Sequence, residues 1–108
     1  MVVEIWHNPR CSKSCAALAH LQEKGIAPAV RLYLKDAPSE AELRVLLAAL
    51  GLPAAALLRL EGAALKGQSE ADILAAMVAD PTLIERPVIR NGARAVIGRP
   101  AEAIDAIL

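Results

Sequence analysis

The sequence predicts an α/β domain in the order β-α-β, a helical stretch, then β-β-α. Three observations carry this expectation. A short apolar segment ends at Asn8-Pro9, a helical pattern follows from about Cys11, and a second β-prone run comes after Gly25; a crossover of that length favours parallel pairing. Helix-capping residues, Ser39 with Glu42 and Ser69 with Asp72, punctuate the middle of the chain. Near the end, Asn91-Gly92 separates two β-prone runs, the signal of a tight hairpin.

Taken in order, Val2 to His7 is short, apolar and β-prone, which reads as a buried strand, and Asn8-Pro9 breaks it. From Cys11 or Ser12 to about Lys24 the pattern is helical, with Ser14, Leu18, Leu21 and Gly25 near one stripe and Gly25 where a stop belongs. Ala29 to Leu34 is a second strand. After the Ser39 capping box, Leu43, Leu46, Leu47 and Leu50 make an apolar face that ends at Gly51. Pro53 suits the first turn of a helix carrying Leu57 and Leu58, and Ser69 opens another through about Ala79. Asp80-Pro81 starts one more short turn. Val88 to Arg90 and Ala93 to Ile97 form the hairpin arms, with Asn-Gly supplying the positive φ angles of a type I′ turn. Gly98-Arg99-Pro100 ends it, and Pro100 begins a terminal helix through Ile107. This order is that of a thioredoxin-like fold, expected as a single domain over residues 1–108 with a helical insertion at about 39–82.

Composition narrows the function. Lys plus Arg and Asp plus Glu each number 12, so the formal charge is zero and broad attraction to nucleic acid or anionic lipid is not expected. Of the apolar residues, 23 are Ala and none is Phe, so Leu, Ile and Val build the core, with Trp6 and Tyr33 the only aromatics. The longest uncharged run, Val45 to Leu58, is interrupted by Gly51 and Pro53 and falls short of the roughly 20 apolar residues of a membrane span. Met1 to His7 lacks a signal-peptide pattern. The expectation is a cytoplasmic protein whose thiols are reduced and whose cysteines serve chemistry before structure.

Cys11 is the leading candidate. It sits where strand gives way to helix, and unpaired backbone N–H groups with the helix dipole favour a thiolate there and can also hold an oxyanion beside it. Arg10 and Lys13 add nearby charge, though such residues are usually solvated, and His7 either tunes the thiol or merely ends the strand. The plain alternative for Cys11 is a small buried residue. Cys15 lies four residues on, so this is no C-x-x-C motif; Ser14 occupies the second position of one. Cys15 borders the apolar stripe and reads as core filler before resolving thiol. The Cys-x5-Arg loop of low-molecular-weight tyrosine phosphatases is absent, since Ala17 stands six residues after Cys11. His7 and His20 are too few for a metal centre.

The chain resembles the glutaredoxin-coupled arsenate reductases of the ArsC family, especially their short bacterial members. The resemblance is nearly full length and rests on His7-Asn8-Pro9-Arg10-Cys11-Ser12-Lys13-Ser14, Leu32-Tyr33-Leu34, Leu57-Leu58-Arg59, Glu85-Arg86-Pro87-Val88 and Ile97-Gly98-Arg99-Pro100. It implies that Cys11 is the nucleophile, that Arg59, Arg86 and Arg99 bind the anion, that His7 is the histidine upstream of the cysteine, and that Pro87 is a cis-proline beside the thiol. Planar guanidiniums suit a multiply charged oxyanion, although each arginine alone reads as a surface ion pair, and Arg31, Arg44, Arg90 and Arg94 are taken as solvated charges. The short segment after Arg59, Leu60 to Gly67, puts that residue's placement in question. The implied reaction reduces arsenate to arsenite for arsenic detoxification: Cys11 forms an arseno-cysteine adduct, glutathione attacks the arsenic as co-substrate, and glutaredoxin completes the reduction, with no bound cofactor. Competing readings are a glutathione-handling or thiol–disulfide oxidoreductase, and an Spx-like redox-sensing regulator, the latter disfavoured by Ser14.

Overall fold

In a computed structural model that describes residues 3–108, four strands form one mixed sheet in the order β2-β1-β3-β4. β1 (Val3–Trp6) and β2 (Ala29–Arg31) are parallel, joined by the crossover helix α1 (Ser12–Glu23). β3 (Val88–Asn91) runs antiparallel to β1 with Ile5 opposite Ile89, and β4 (Arg94–Ile97) closes the hairpin. Between β2 and β3 stand α2 (Glu40–Leu50), the single turn α3 (Ala54–Leu57), a 3-10 stretch at Leu60–Leu65 and α4 (Glu70–Ala79). The expected thioredoxin-like order with its helical insertion is therefore present. Val2, expected in the first strand, lies outside the described residues.

Strand alternation divides the interior into two layers. Val3, Ile5 and Ile89 face α1 and the C-terminal 3-10 helix (Ala101–Ile107), where they meet Ala17, Leu21, Ile104 and Ile107. Trp6 and Val88 face the helical insertion, packing with Tyr33, Leu43, Leu46, Leu57, Leu74 and Met77. The buried face of α1 is Ser14, Ala17 and Leu21, with Leu18 only partly covered. Small Ala17 lets α1 sit close to the sheet at Gly98, where an added Cβ would lie 2.7 Å from Ile89 Cδ1 and 3.1 Å from Pro87 Cγ.

Several local expectations hold, and others move for identifiable reasons. The Ser39 capping box forms in both directions and Gly51 closes α2 at φ 69°. The Ser69 hydroxyl accepts from Asp72 N–H. The second strand stops at Arg31, because Leu32 turns the chain, its carbonyl accepting from both Lys35 and Asp36 N–H. Pro53 caps α3 from outside, and Leu58 leaves the helix to bridge Ile84. The hairpin turn is shifted by one residue: Asn91 pairs with Arg94, the turn is Gly92-Ala93, and Gly92 alone has positive φ (63°). That pattern fits a type II′ turn instead of type I′. Asn91 stays in the ladder because its Nδ2 donates to the Ile107 carbonyl at 2.6 Å, anchoring the C-terminus. The terminal helix is a 3-10 helix.

Candidate active site

Parallel β1 and β2 end at the same edge, and the loop leaving β1 carries the cysteine. His7 N–H continues the ladder to the Arg31 carbonyl at 2.8 Å, and the chain then turns, with Cys11 N–H donating to the Asn8 carbonyl at 3.0 Å. The Asn8 side chain stiffens the turn by accepting from Arg10 N–H. Cys11 is the N-cap of α1 in extended conformation. Its side chain is largely buried, at 8 % exposure.

Burial by itself would raise the Cys11 pKa. The backbone N–H of Ser14, the guanidinium of Arg86 and the backbone N–H of Lys13 outweigh that effect, and the thiol sits below its ordinary value. The amides belong to the first turn of α1, whose N–H groups have no partner within the helix. Arg99 adds a second cation, its Nη2 donating toward Cys11 Sγ at 4.0 Å. Arg99 is held by its Nε, which donates to the Arg86 carbonyl at 2.6 Å and faces Glu85 Oε1 at 3.5 Å.

Buried His7 is kept neutral, since burial lowers its pKa. Its Nδ1 lies 2.6 Å from Ser14 Oγ, which already accepts from Asn8 N–H at 3.0 Å. The hydroxyl hydrogen is thus free to point at the unprotonated Nδ1 of a neutral ring. Through Ser14, His7 ties the end of β1 to the first turn of α1 and shapes the loop around the sulfur.

The segments carrying Arg86 and Arg99 reach the sulfur from distant parts of the chain, while Arg59 is seen acting on Tyr33. The Arg86–Pro87 peptide is cis, as the resemblance implied for Pro87, and Arg99–Pro100 is cis as well. Gly98 N–H donates to the Pro87 carbonyl at 2.9 Å, locking the two proline segments together. Arg59 is positioned before the short segment that follows it: the Leu58–Ile84 bridge and the Arg59 N–H to Leu83 carbonyl bond (2.8 Å) fix its backbone. Its guanidinium donates to the Thr82 carbonyl at 3.4 Å and acts electrostatically on the Tyr33 hydroxyl.

Tyr33 is the residue that sequence reasoning overlooked as part of the site. It is 1 % exposed, and burial raises its pKa against the opposing pull of Arg86 and Arg59; Cys11 also acts on it. A usable signal existed, because an aromatic just after a parallel strand sits at the edge where such folds place their chemistry.

Two expectations are corrected. Cys15 is exposed, not core filler, with its thiol against the Pro9 carbonyl at 3.3 Å; the buried stripe of α1 runs through residues 14, 17 and 21, leaving position 15 on the outer side. Arg31 is no solvated charge. It lies over the Trp6 ring, 5.1 Å from the centroid, and pairs with Glu42 and with Asp36.

A cavity of about 270 Å³ opens beside the loop, lined by His7 to Arg10, Leu32, Leu34 and Lys35. Neither Cys11 nor any of the three arginines contributes to its wall. At the sulfur itself, a thiol with lowered pKa, two helix amides and cationic donors form an arrangement suited to nucleophilic attack on a bound oxyanion.

The sequence profile of the ArsC family matches residues 6–107. An arsenate reductase of Neisseria meningitidis serogroup A is 40% identical over 114 aligned residues, covering 98% of this chain and 97% of its own. One from Haemophilus influenzae is 39% identical with 100% of both chains covered. Among solved structures, an arsenate reductase from Vibrio cholerae superposes with a TM-score of 0.93 at 41% identity, over 100% of this chain and 98% of that one.

Proposed function

Because this chain belongs to the ArsC family, we propose that it reduces arsenate to arsenite with Cys11 as nucleophile and with glutathione and glutaredoxin as the source of electrons. The observation that carries the reading is the Cys11 sulfur. It faces the Ser14 and Lys13 amides and the guanidiniums of Arg86 and Arg99 at once. A thiolate so placed attacks an anion that the same cations hold, which offsets the repulsion between two negative reactants. Arg59 completes the clamp from the Leu58–Ile84 side. His7, Ser14 and Pro87 position the loop and the proline wall around it.

In the proposed cycle the Cys11 thiolate forms a sulfur–arsenic bond while an arsenic–oxygen bond breaks, and the departing oxygen leaves as water after protonation. Glutathione's thiol then displaces a second oxygen from arsenic, which leaves as water. Glutaredoxin's thiol attacks the glutathione sulfur, so the two thiols end as one disulfide and the electron pair of the broken sulfur–arsenic bond takes arsenic from the pentavalent to the trivalent state. Water then cleaves the Cys11 sulfur–arsenic bond, releasing arsenite and returning Cys11 as the free thiol. No bound cofactor takes part, and the electron donors belong to a reducing compartment such as the cytoplasm. Exposed Cys15 has no step in this cycle.

The test is a coupled assay with glutathione, glutaredoxin, glutathione reductase and NADPH. Oxidation of NADPH should require arsenate, vanish in Cys11→Ser and persist largely intact in Cys15→Ser. Turnover without arsenate would instead identify a thiol–disulfide oxidoreductase, and no turnover at all would remove the enzymatic reading.

A further inference from the structure

The Tyr33 hydroxyl is buried and has no hydrogen-bond partner of proper geometry among the described residues. Neither does Arg86 Nε, which is buried in the same way. Buried polar atoms in folded proteins are nearly always satisfied, so two unsatisfied donors side by side call for a physical reason. They are side by side: the Arg86 guanidinium comes within reach of both the Tyr33 hydroxyl and the Cys11 thiol, and Arg59 acts on the same hydroxyl. Arg86 Nε can only donate, and the phenol is faced by the guanidinium donors of Arg86 and Arg59. Hydrophobic packing explains the ring, which sits with Trp6, Leu43 and Leu57. It does not explain the oxygen, because Phe would fill the same space without burying a polar atom.

We propose that Tyr33 is a substrate-contacting residue, its hydroxyl donating a hydrogen bond to an oxygen of the oxyanion that Cys11 attacks. The inference rests on the oxyanion chemistry proposed above and adds to it a neutral donor. That donor differs in kind from the arginines. It adds direction without adding charge, and it reads whether the bound group carries an acceptor oxygen at that corner. The environment also keeps the phenol protonated near neutrality, which a donor requires. Tyr33 comes from the turn after β2, so the substrate would be enclosed from the side opposite the Arg99 segment by an element of the sheet's edge.

Tyr33→Phe tests this with two readouts. The first is the rate at which iodoacetamide alkylates Cys11 with and without arsenate, in wild type and variant. Wild type should be protected by arsenate, and the variant should need at least tenfold more arsenate for equal protection, with kcat/KM in the coupled assay lower by about a hundredfold. The second is thermal melting without arsenate: a hydroxyl that makes no well-formed hydrogen bond in the free protein predicts that the variant melts no lower than wild type. Equal protection of wild type and variant would overturn the role of Tyr33 while leaving the arsenate reading standing. A lower melting temperature for the variant would show that the hydroxyl serves the fold, and would also overturn it. Absence of protection in wild type would overturn the oxyanion reading itself.

Discussion

At the scale of single residues, the thiol is governed by two donors that are its near neighbours in sequence, the Lys13 and Ser14 amides, and one, Arg86, that is far away. A pair of helix amides and one guanidinium outweigh the cost of burial, and a thiolate is both the better nucleophile and the species that arginines hold. The pH dependence follows from the sign. A lowered pKa means that the reactive form is already abundant below the usual thiol range of about 8.5, so alkylation of Cys11 should reach half its maximum below that pH. Arg86→Ala should move the midpoint upward and lower kcat by about a hundredfold, the usual loss when one preorganised donor is removed. An unchanged midpoint would show that the thiol is set without Arg86, by the amides and Arg99. Cys11 was legible as an N-cap position, whereas Arg86, Arg99 and Pro87 came only from the family resemblance. Tyr33 was passed over despite its place just after a parallel strand, because its ring looks like ordinary core and only its oxygen matters.

At the scale of elements, close approach decides more than propensity does. A Cβ at Gly98 would push into buried Ile89 Cδ1 and press on Pro87 Cγ, and the Gly98 N–H bond to Pro87 joins the β4 end to the proline segment. Gly98→Ala should therefore cost about 1–3 kcal/mol of stability, as overpacking does. Gly67→Ala, where a Cβ meets nothing within 4 Å, should stay within about 0.5 kcal/mol of wild type. Urea unfolding of the two variants checks the contrast. Caps were readable because they depend on three or four neighbouring residues, and the Ser39 box forms as its sequence indicates. The hairpin turn was not, because the Asn91 bond to the C-terminal 3-10 helix holds that residue in the ladder. A local signal yielded to a tertiary hydrogen bond.

At the scale of the whole molecule, the sheet separates two apolar layers and the charged groups tie the layers at their margins. Arg31 on the edge strand reaches Glu42 in α2, and that side-chain hydrogen bond, with the Ser39 cap, lowers the Glu42 carboxyl to about 2. A depressed carboxyl pKa contributes stability that is present above its unfolded value of about 4.3 and disappears as pH falls through the folded one. Glu42→Gln keeps a capping-box side chain but removes the charge. The variant should be less stable than wild type at pH 7, by under about 1 kcal/mol because the pair is partly exposed and screened. The difference should close as pH approaches about 2, and denaturant titrations at several pH values measure it.

By itself, the sequence determined the order of elements, the buried strands, the helix caps and the cysteine at the head of α1, because each depends on residues close together in the chain. Tertiary structure brought Arg86 and Arg99 to that cysteine, and the Leu58–Ile84 bridge set Arg59 where it acts on Tyr33. It also decided that Cys15 faces outward and that the Tyr33 hydroxyl is buried beside Arg86. Packing sets which side of a helix is covered and which polar atom lacks a partner, and neither is a property of a short stretch of chain.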